Sequence, residues 1–170
     1  MVQSTNGSDA KTPAEAAPPP TGQQLVINAQ YIKDLSFENP RAPQSLAQPP
    51  SAPAVDINVD VKAQNMSGET YEVVLTVNAS AKINGDPLFL VELTYGAVVT
   101  ARNISRELLP PALLVEVPRL IFPFARNIVA DATRDGGFPP LMINPIDFTE
   151  LLRRNQNQAP AADASATSSA

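Results

Sequence analysis

Residues 71–99 read YEVVLTVNASAKINGDPLFLVELTYGAVV, and this stretch decides the fold class. Apolar residues recur at every second position on both sides of its centre: Tyr71, Val73, Leu75 and Val77 before it, and Phe89, Val91, Leu93, Tyr95 and Val99 after it. A period of two is typical of strands that bury one face. The break NGDP at 84–87 carries an Asn-Gly turn signal, which predicts that the two strands form a hairpin.

Two segments upstream of this hairpin have the same period. VDINVDVKA (55–63) turns four aliphatic residues to one face, and LVINAQYIKDLSFE (25–38) is interpreted as a strand with one apolar face. The members of that face are Leu25, Ile27, Ala29, Tyr31, Leu35 and Phe37. The link 39–54 holds five prolines, which exclude a helix and a central strand. A long connection followed by hairpins suggests a four-stranded antiparallel Greek-key sheet.

The apolar spacing becomes helical after residue 117. In PRLIFPFARNIVADATRDGG (118–137), Pro118 suits the first helical turn and Gly136-Gly137 ends the helix. A second, shorter helix is predicted in NPIDFTELLRR (144–154), with Asn144 as its N-cap. Strands followed by helices indicate an α+β fold, with the two C-terminal helices on one face of the sheet.

The two ends of the chain differ from this folded part. Residues 1–23 and 155–170 are rich in Ala, Pro, Ser and Thr and contain few apolar side chains. Such segments bury too little apolar surface to offset the entropy lost on ordering. We therefore expect one domain at 24–154, flanked by disordered tails.

Composition excludes several classes of function. The formal net charge is −5, and the chain contains neither cysteine nor histidine. An acidic chain is a poor ligand for nucleic acid or for an anionic membrane surface. Without Cys and His there is no disulfide, thiolate nucleophile, Cys/His zinc site or imidazole triad. We expect no cofactor, no metal site and no enzymatic activity.

Targeting signals are also missing from the sequence pattern. The first 20 residues have no basic n-region and no apolar h-region, and no apolar run approaches the ~18 residues of a membrane span. We therefore expect a cytoplasmic protein that does not insert into a membrane.

One face of the predicted sheet combines carboxylates with aliphatic residues. The parity of the first strand leaves Ile32, Asp34, Ser36 and Glu38 opposite its apolar face, and that of the fourth strand leaves Leu88, Leu90, Glu92, Thr94 and Val98. Acidic strand faces are usually solvated surface, but an exposed Leu90 beside Glu92 resembles the rim of an interface. From the residues alone, both interpretations stay open.

Other carboxylate patterns point to no chemistry. Asp34 and Glu38 have no accompanying nucleophile or oxyanion motif. Asp56, Asn58 and Asp60 have the spacing of a calcium loop but lack its glycine and terminal glutamate, and strand alternation explains them.

The first long helix is apolar around much of its circumference. Its stripe Ile121, Phe124 and Ile128 is joined by Leu120, Phe122 and Val129. One sheet cannot cover so wide a surface, which indicates burial on two sides and hence self-association.

Four separated motifs resemble the SecB protein-export chaperone family. They are YIKDLSFENPRAP (31–43), YEVVLTVNASAKINGDPLFLVEL (71–93), PRLIFPFARN (118–127) and GGFPPLMINPIDFTELL (136–152), and the resemblance covers about residues 25–152. It implies an ATP-independent holdase that binds unfolded preproteins in the cytoplasm and delivers them to the SecA motor. It also implies a homotetramer, a dimer of dimers, with the long helices at the junction.

The resemblance implies roles for named residues. The SecA docking face corresponds to Asp34, Glu38, Leu90 and Glu92, and the oligomer interface to Leu120, Ile121, Phe122, Phe124 and Ile128. The client groove, between the second helix and the crossover before it, corresponds to Phe37, Leu46, Phe138, Leu141, Ile143, Phe148 and Leu151. Ordinary core is the competing interpretation for about half of the groove set. The competing function is an adaptor oligomer that binds folded partners through the acidic face.

Overall fold

The computed structural model describes residues 22–47 and 52–158. Its four strands form one antiparallel sheet in the order β1-β4-β3-β2. The strands are β1 (Gln24–Glu38), β2 (Ala54–Ser67), β3 (Thr70–Ile83) and β4 (Asp86–Arg102). The strands β2, β3 and β4 follow one another as hairpins and β1 lies beside β4, which is the predicted Greek-key arrangement.

The hairpin predicted from residues 71–99 is confirmed. β3 ends at Ile83 and β4 begins at Asp86, so the loop contains only Asn84 and Gly85. Their φ angles are 52° and 87°. Positive φ at both positions is the type I′ geometry, whose twist matches that of the flanking strands.

The parity predicted for the first strand is wrong in its middle third. The pairing of β1 with β4 shifts between Ile27 and Ala29 and again between Ile32 and Asp34. Asn28 and Lys33 are therefore extra residues, and each bulge reverses the alternation. Between the bulges, Tyr31 joins the outer face opposite Gly96, whereas Ile32 joins the inner face opposite Tyr95.

The long helix begins earlier than expected. A short helix α1 (Gln44–Ala47) lies in the link that we expected to be without helix, and α2 (Leu109–Pro111) opens a helical stretch that continues through a π-helical segment, Ala112–Glu116, into α3 (Val117–Asp135). Pro118 lies in the first turn of α3, as predicted, but α3 is itself preceded by helical residues from Leu109. Proline cannot donate to the carbonyl four residues back, and a π turn immediately before it accommodates that loss.

The last helix, α4 (Phe148–Gln158), has a different N-cap from the one predicted. Asp147 Oδ1, not Asn144, accepts the N–H groups of Thr149 at 2.9 Å and Glu150 at 3.1 Å. The helix also continues to Gln158, past the expected domain end at 154. Of the predicted tails, residues 1–21 and 159–170 lie outside the described residues.

The core lies between the inner face of the sheet and the helices. Val73, Leu75 and Val77 of β3 and Leu93 of β4 are fully buried. Phe148, at the start of α4, is 1% exposed, and its ring meets that of Phe122 edge-on at a centroid distance of 5.8 Å. This aromatic pair joins α4 to α3.

Replacing Phe148 by Ala should therefore lower the free energy of unfolding by about 3–5 kcal/mol, the usual cost of deleting a buried aromatic ring. Urea unfolding at a fixed protomer concentration measures this loss. Met142→Ala is the matched control, because Met142 is 64% exposed and its loss should cost much less. Equal losses for the two variants would contradict the packing described here.

Candidate functional site

The outer face of the sheet brings the four predicted docking residues together. Glu38 lies directly opposite Leu90, and Ser36 lies directly opposite Glu92 in the pairing of β1 with β4. Asp34 lies two residues before Ser36 in β1 and pairs with Thr94. The carboxylates of Asp34, Glu38 and Glu92 are exposed, whereas Leu90 is half-buried between them and the rest of the sheet.

These three carboxylates surround one small residue. Directly opposite side chains in an antiparallel pair are about 4.5–5.5 Å apart, and diagonal neighbours about 7–8 Å apart. Glu92 is a diagonal neighbour of both Asp34 and Glu38, since it faces Ser36 midway between them. The result is a compact negative surface with one aliphatic contact at its edge, suited to a basic ligand.

A second feature of the outer face is a buried carboxylate that the sequence did not single out. Glu72 of β3 is 6% exposed and accepts hydrogen bonds from three side chains. Lys33 Nζ donates to its two oxygens at 2.8 and 3.1 Å, and the Tyr31 hydroxyl and Gln64 Nε2 also donate. Sequence reasoning missed this cluster because the predicted parity turned Tyr31 inward.

The cluster shifts two pKa values. The Lys33 ammonium and then the Tyr31 hydroxyl lower the pKa of Glu72 by hydrogen bonding to its charged form. The same bond to Glu72 raises the pKa of Tyr31 from 10.0 to about 12. Tyr31 therefore contributes stability that is complete below its ordinary pKa and is lost as the pH rises through about 12. Glu72 contributes stability above its ordinary pKa that is lost on acidification.

The predicted client groove contains an aromatic cluster at the end of the inner sheet face. The rings of Phe37 and Phe138 both meet Phe89, at centroid distances of 5.9 and 5.1 Å. Phe89 was not among the predicted groove residues, although its place on the apolar face of the fourth strand was a usable signal. The three rings join β1, β4 and the loop after α3.

Two glycines hold this region in shape. The ring of Phe37 lies against Gly136, where a Cβ atom would collide with it. Gly137, with φ +90°, lies under Leu46 of α1, and a Cβ there would come within 2.9 Å of Leu46 Cδ2. These contacts bring the link after β1 onto the end of α3. A side chain at Gly136 would displace the Phe37 ring of β1, and one at Gly137 would push against Leu46 in the link.

A buried hydroxyl holds the loop between α3 and α4 in place. Thr133 of α3 is fully buried, and its Oγ1 lies 3.1 Å from the carbonyl of Val129 and 2.9 Å from that of Ala130. The same oxygen accepts the N–H of Leu141 at 2.9 Å. This bond ties the loop between α3 and α4 to the helix.

The predicted groove residues divide into buried and accessible members. Ile143 and Phe148 belong to the core, being 4% and 1% exposed. The others are half-buried or exposed: Phe37, Leu46, Phe138, Leu141 and Leu151.

Val55 and Ile57 of β2 were correctly placed on the inner face but are 42% and 38% exposed, because the helices leave that end of the strand uncovered.

The long helix α3 presents an apolar stripe away from the sheet. Leu120 and Phe124 are 56% and 53% exposed, and Ile128 is half-buried. Their spacing of four residues places them on one side of the helix. Ile121 and Phe122, which the resemblance also places at the oligomer interface, are 0% and 5% exposed within the protomer and so pack inside it.

No helix among the described residues is long and apolar enough to cross a membrane.

Comparisons with known proteins agree on one family. The family model for preprotein translocase subunit SecB matches residues 19–159. The protein-export protein SecB of Bradyrhizobium sp. is 51% identical over 158 residues, which cover 93% of this chain and 94% of that relative. The SecB of a Rhodopseudomonas palustris strain is 50% identical over 155 residues, covering 91% and 95%.

A solved structure shares the fold. The SecB-like chaperone of Mycobacterium tuberculosis, in complex with a ChAD peptide from an antitoxin, aligns with a TM-score of 0.61. The alignment covers 72% of this chain and 90% of that chain at 15% sequence identity. Identity near one half over nearly the whole length, together with the family match, shows that this chain belongs to the SecB family of protein-export chaperones.

Proposed function

We propose that this protein is an ATP-independent cytoplasmic holdase. It binds unfolded preproteins, keeps them competent for translocation and delivers them to the SecA motor. The observation that carries this proposal is the opposite character of the two sheet faces. The outer face gathers Asp34, Glu38 and Glu92, while the inner end leaves aromatic and aliphatic side chains accessible.

Client binding rests on the partly accessible side chains of Phe37 and Phe138, which pack against the buried Phe89. Burial of one client Leu or Phe contributes roughly 1.5–3 kcal/mol, so several contacts along the region give useful affinity. Leu46 and Met142 are 50% and 64% exposed and extend the apolar surface beside it. A folded protein buries most of its Leu and Phe side chains, which favours binding to unfolded chains. The peptide in the related M. tuberculosis chaperone supports this use of the fold.

Delivery to SecA rests on the carboxylates of the outer face. Each exposed ion pair contributes only about 0.2–1 kcal/mol. Repeated copies of the face in a symmetric oligomer would allow two weak contacts to act together on one motor. A basic segment, such as the zinc-bearing tail of SecA, is the ligand that this charge selects. Such binding weakens as salt is added.

The assembly that provides these copies is a homotetramer, arranged as a dimer of dimers. The stripe of Leu120, Phe124 and Ile128 on α3 supports this proposal, since it exposes apolar area that no part of the described protomer covers. Ile32 and Leu35 of β1 are also 49% and 41% exposed. Exposed aliphatic and aromatic residues of this extent mark an interaction surface.

Reversing the charge of Glu92 should separate the two binding activities. Glu92→Lys should weaken SecA binding about ten- to a hundredfold, because each copy of the face then repels the basic ligand. Affinity for an unfolded client should stay unchanged. Isothermal titration calorimetry against SecA, and against a denatured preprotein, measures the two affinities.

The matched control for this substitution is Glu107→Lys, which makes the same change in net charge at an exposed turn beyond β4. It should leave SecA binding nearly unchanged. Equal losses for the two variants would reduce docking to a general effect of net charge, and loss of client binding with Glu92→Lys would mean that the faces are wrongly assigned.

A charge on the exposed stripe of α3 should break the assembly without unfolding the protomer. Phe124→Glu should lower the mass measured by light scattering, because the tetramer would bury an unpaired carboxylate at a cost of several kcal/mol. Leu108→Glu is the control, since Leu108 is 48% exposed outside α3. A Phe124→Glu variant that keeps the mass of a tetramer would refute this interface.

A further inference from the structure

Glu72 lies at the centre of a buried polar cluster that neither docking nor client binding uses. It is on β3, and β4 separates β3 from β1. Nevertheless two of its three donors, Tyr31 and Lys33, come from β1. Both side chains therefore pass over β4 to reach a single carboxylate, while Gln64 reaches it from β2 on the other side.

The passage of the Tyr31 side chain over β4 depends on Gly96 of that strand. Tyr31 lies opposite Gly96, and a Cβ atom there would come within 2.6 Å of Tyr31 Cζ and 2.9 Å of its hydroxyl oxygen. The absence of a side chain thus leaves a path across the strand. Tyr31 is held at both ends of this path, by its own backbone in β1 and by Glu72.

Lys33 occupies a special place in β1. It is the extra residue of the second bulge, since Ile32 pairs with Tyr95 and Asp34 pairs with Thr94. If the bulge moved by one residue, Lys33 would take the outer position opposite Thr94 and Asp34 would become the extra residue. Neither Ile32 nor Leu35 would have to change face. The docking surface would then lose a carboxylate and gain an ammonium group.

We propose that Glu72 is a positioning residue for the docking surface. It holds Lys33 in the bulge and neutralises its charge, and so leaves the outer position opposite Thr94 to Asp34. Tyr31 acts together with Glu72. Its ring lies over Gly96 and its hydroxyl is bonded to Glu72, which fixes the position of β1 two residues before Lys33. The inference rests on the proposed docking of SecA through Asp34, Glu38, Leu90 and Glu92.

Electrostatics favour this role over that of a simple brace. Lys33 is the residue next to Asp34, and Glu72 binds its ammonium with both carboxylate oxygens. An acidic surface that attracts a basic ligand is weakened by any cation that stands in it.

The test measures SecA binding by calorimetry for the full-length chain and three variants. Glu72→Gln removes the carboxylate that holds Lys33 and should weaken SecA binding about five- to tenfold, as expected when one repeated charge contact is lost at each copy of the face. Glu72→Gln combined with Lys33→Gln should restore most of the affinity, because no cation remains to enter the surface. Glu69→Gln, which removes a carboxylate beside Arg102 at the far end of the sheet, should change little.

A spectroscopic measurement reports whether the cluster has opened. The chain has three tyrosines and no tryptophan, so tyrosinate absorbance can be followed directly. The Tyr31 phenol has its pKa raised to about 12 by Glu72. In Glu72→Gln this high-pH step should move toward the ordinary tyrosine range. Tyr31→Phe should abolish the step and weaken SecA binding relative to the unsubstituted chain. It serves as a second variant if Glu72→Gln does not fold, and unchanged SecA binding in Tyr31→Phe would then overturn the positioning role.

The outcomes distinguish this inference from the docking proposal. If the unsubstituted chain does not bind SecA, docking itself is wrong and there is nothing to position. If it binds SecA but Glu72→Gln binds equally well while the tyrosine step has moved, the positioning role alone is overturned. Loss of binding that Lys33→Gln does not restore would also overturn it, because the cluster would then be a structural brace.

Discussion

The pairing of β1 with β4 is the constraint on which the two faces of the sheet depend. β1 must turn Leu35 and Phe37 toward the helices and Asp34, Ser36 and Glu38 away from them, although it lies at the edge of the sheet with one neighbour. The bulge at Lys33 makes this compatible with an outward Tyr31. Without that extra residue, every side chain on one side of the bulge would change face.

The sheet separates two kinds of interaction that would interfere on one surface. Burial of apolar side chains is short-ranged and hardly sensitive to salt, whereas attraction between exposed charges is weak per pair and screened over about 10 Å at 0.1 M ionic strength. The aromatic cluster of Phe37, Phe89 and Phe138 lies at the inner face, and the carboxylates lie on the outer face. Phe37 and Glu38 are neighbours in sequence but belong to opposite faces, so one strand contributes to both.

Much of this arrangement follows from local sequence pattern. The Asn84-Gly85 turn, the four strands and the outward Asp34, Glu38 and Glu92 were predictable, because turn chemistry and period-two alternation act within a few residues. The bulges were not, because Tyr31 and Ile32 are both apolar and either can follow the alternation. Which of them faces inward depends on Gly96 and Glu72, which lie on other strands.

The helices show the same limit. The end of α3 at the glycine pair and Pro118 in its first turn were predictable, but the helical residues before α3, from Leu109 to Glu116, were not. The apolar circumference of α3 predicts burial on two sides, of which the protomer provides one. It did not distinguish Ile121 and Phe122, which the protomer buries, from Leu120 and Phe124, which it exposes. That choice depends on how the helix is rotated against the sheet.

Holdase activity without nucleotide is the central claim, and the order of addition tests it most directly. A slow-folding preprotein is diluted from denaturant with the chain added either before or after refolding, while recovery of client structure and the mass of the complex are followed together. Arrest only when the chain is added first, in a complex containing four of its subunits, is the predicted result. Equal binding to the native client, or no binding to the unfolded one, would contradict the claim.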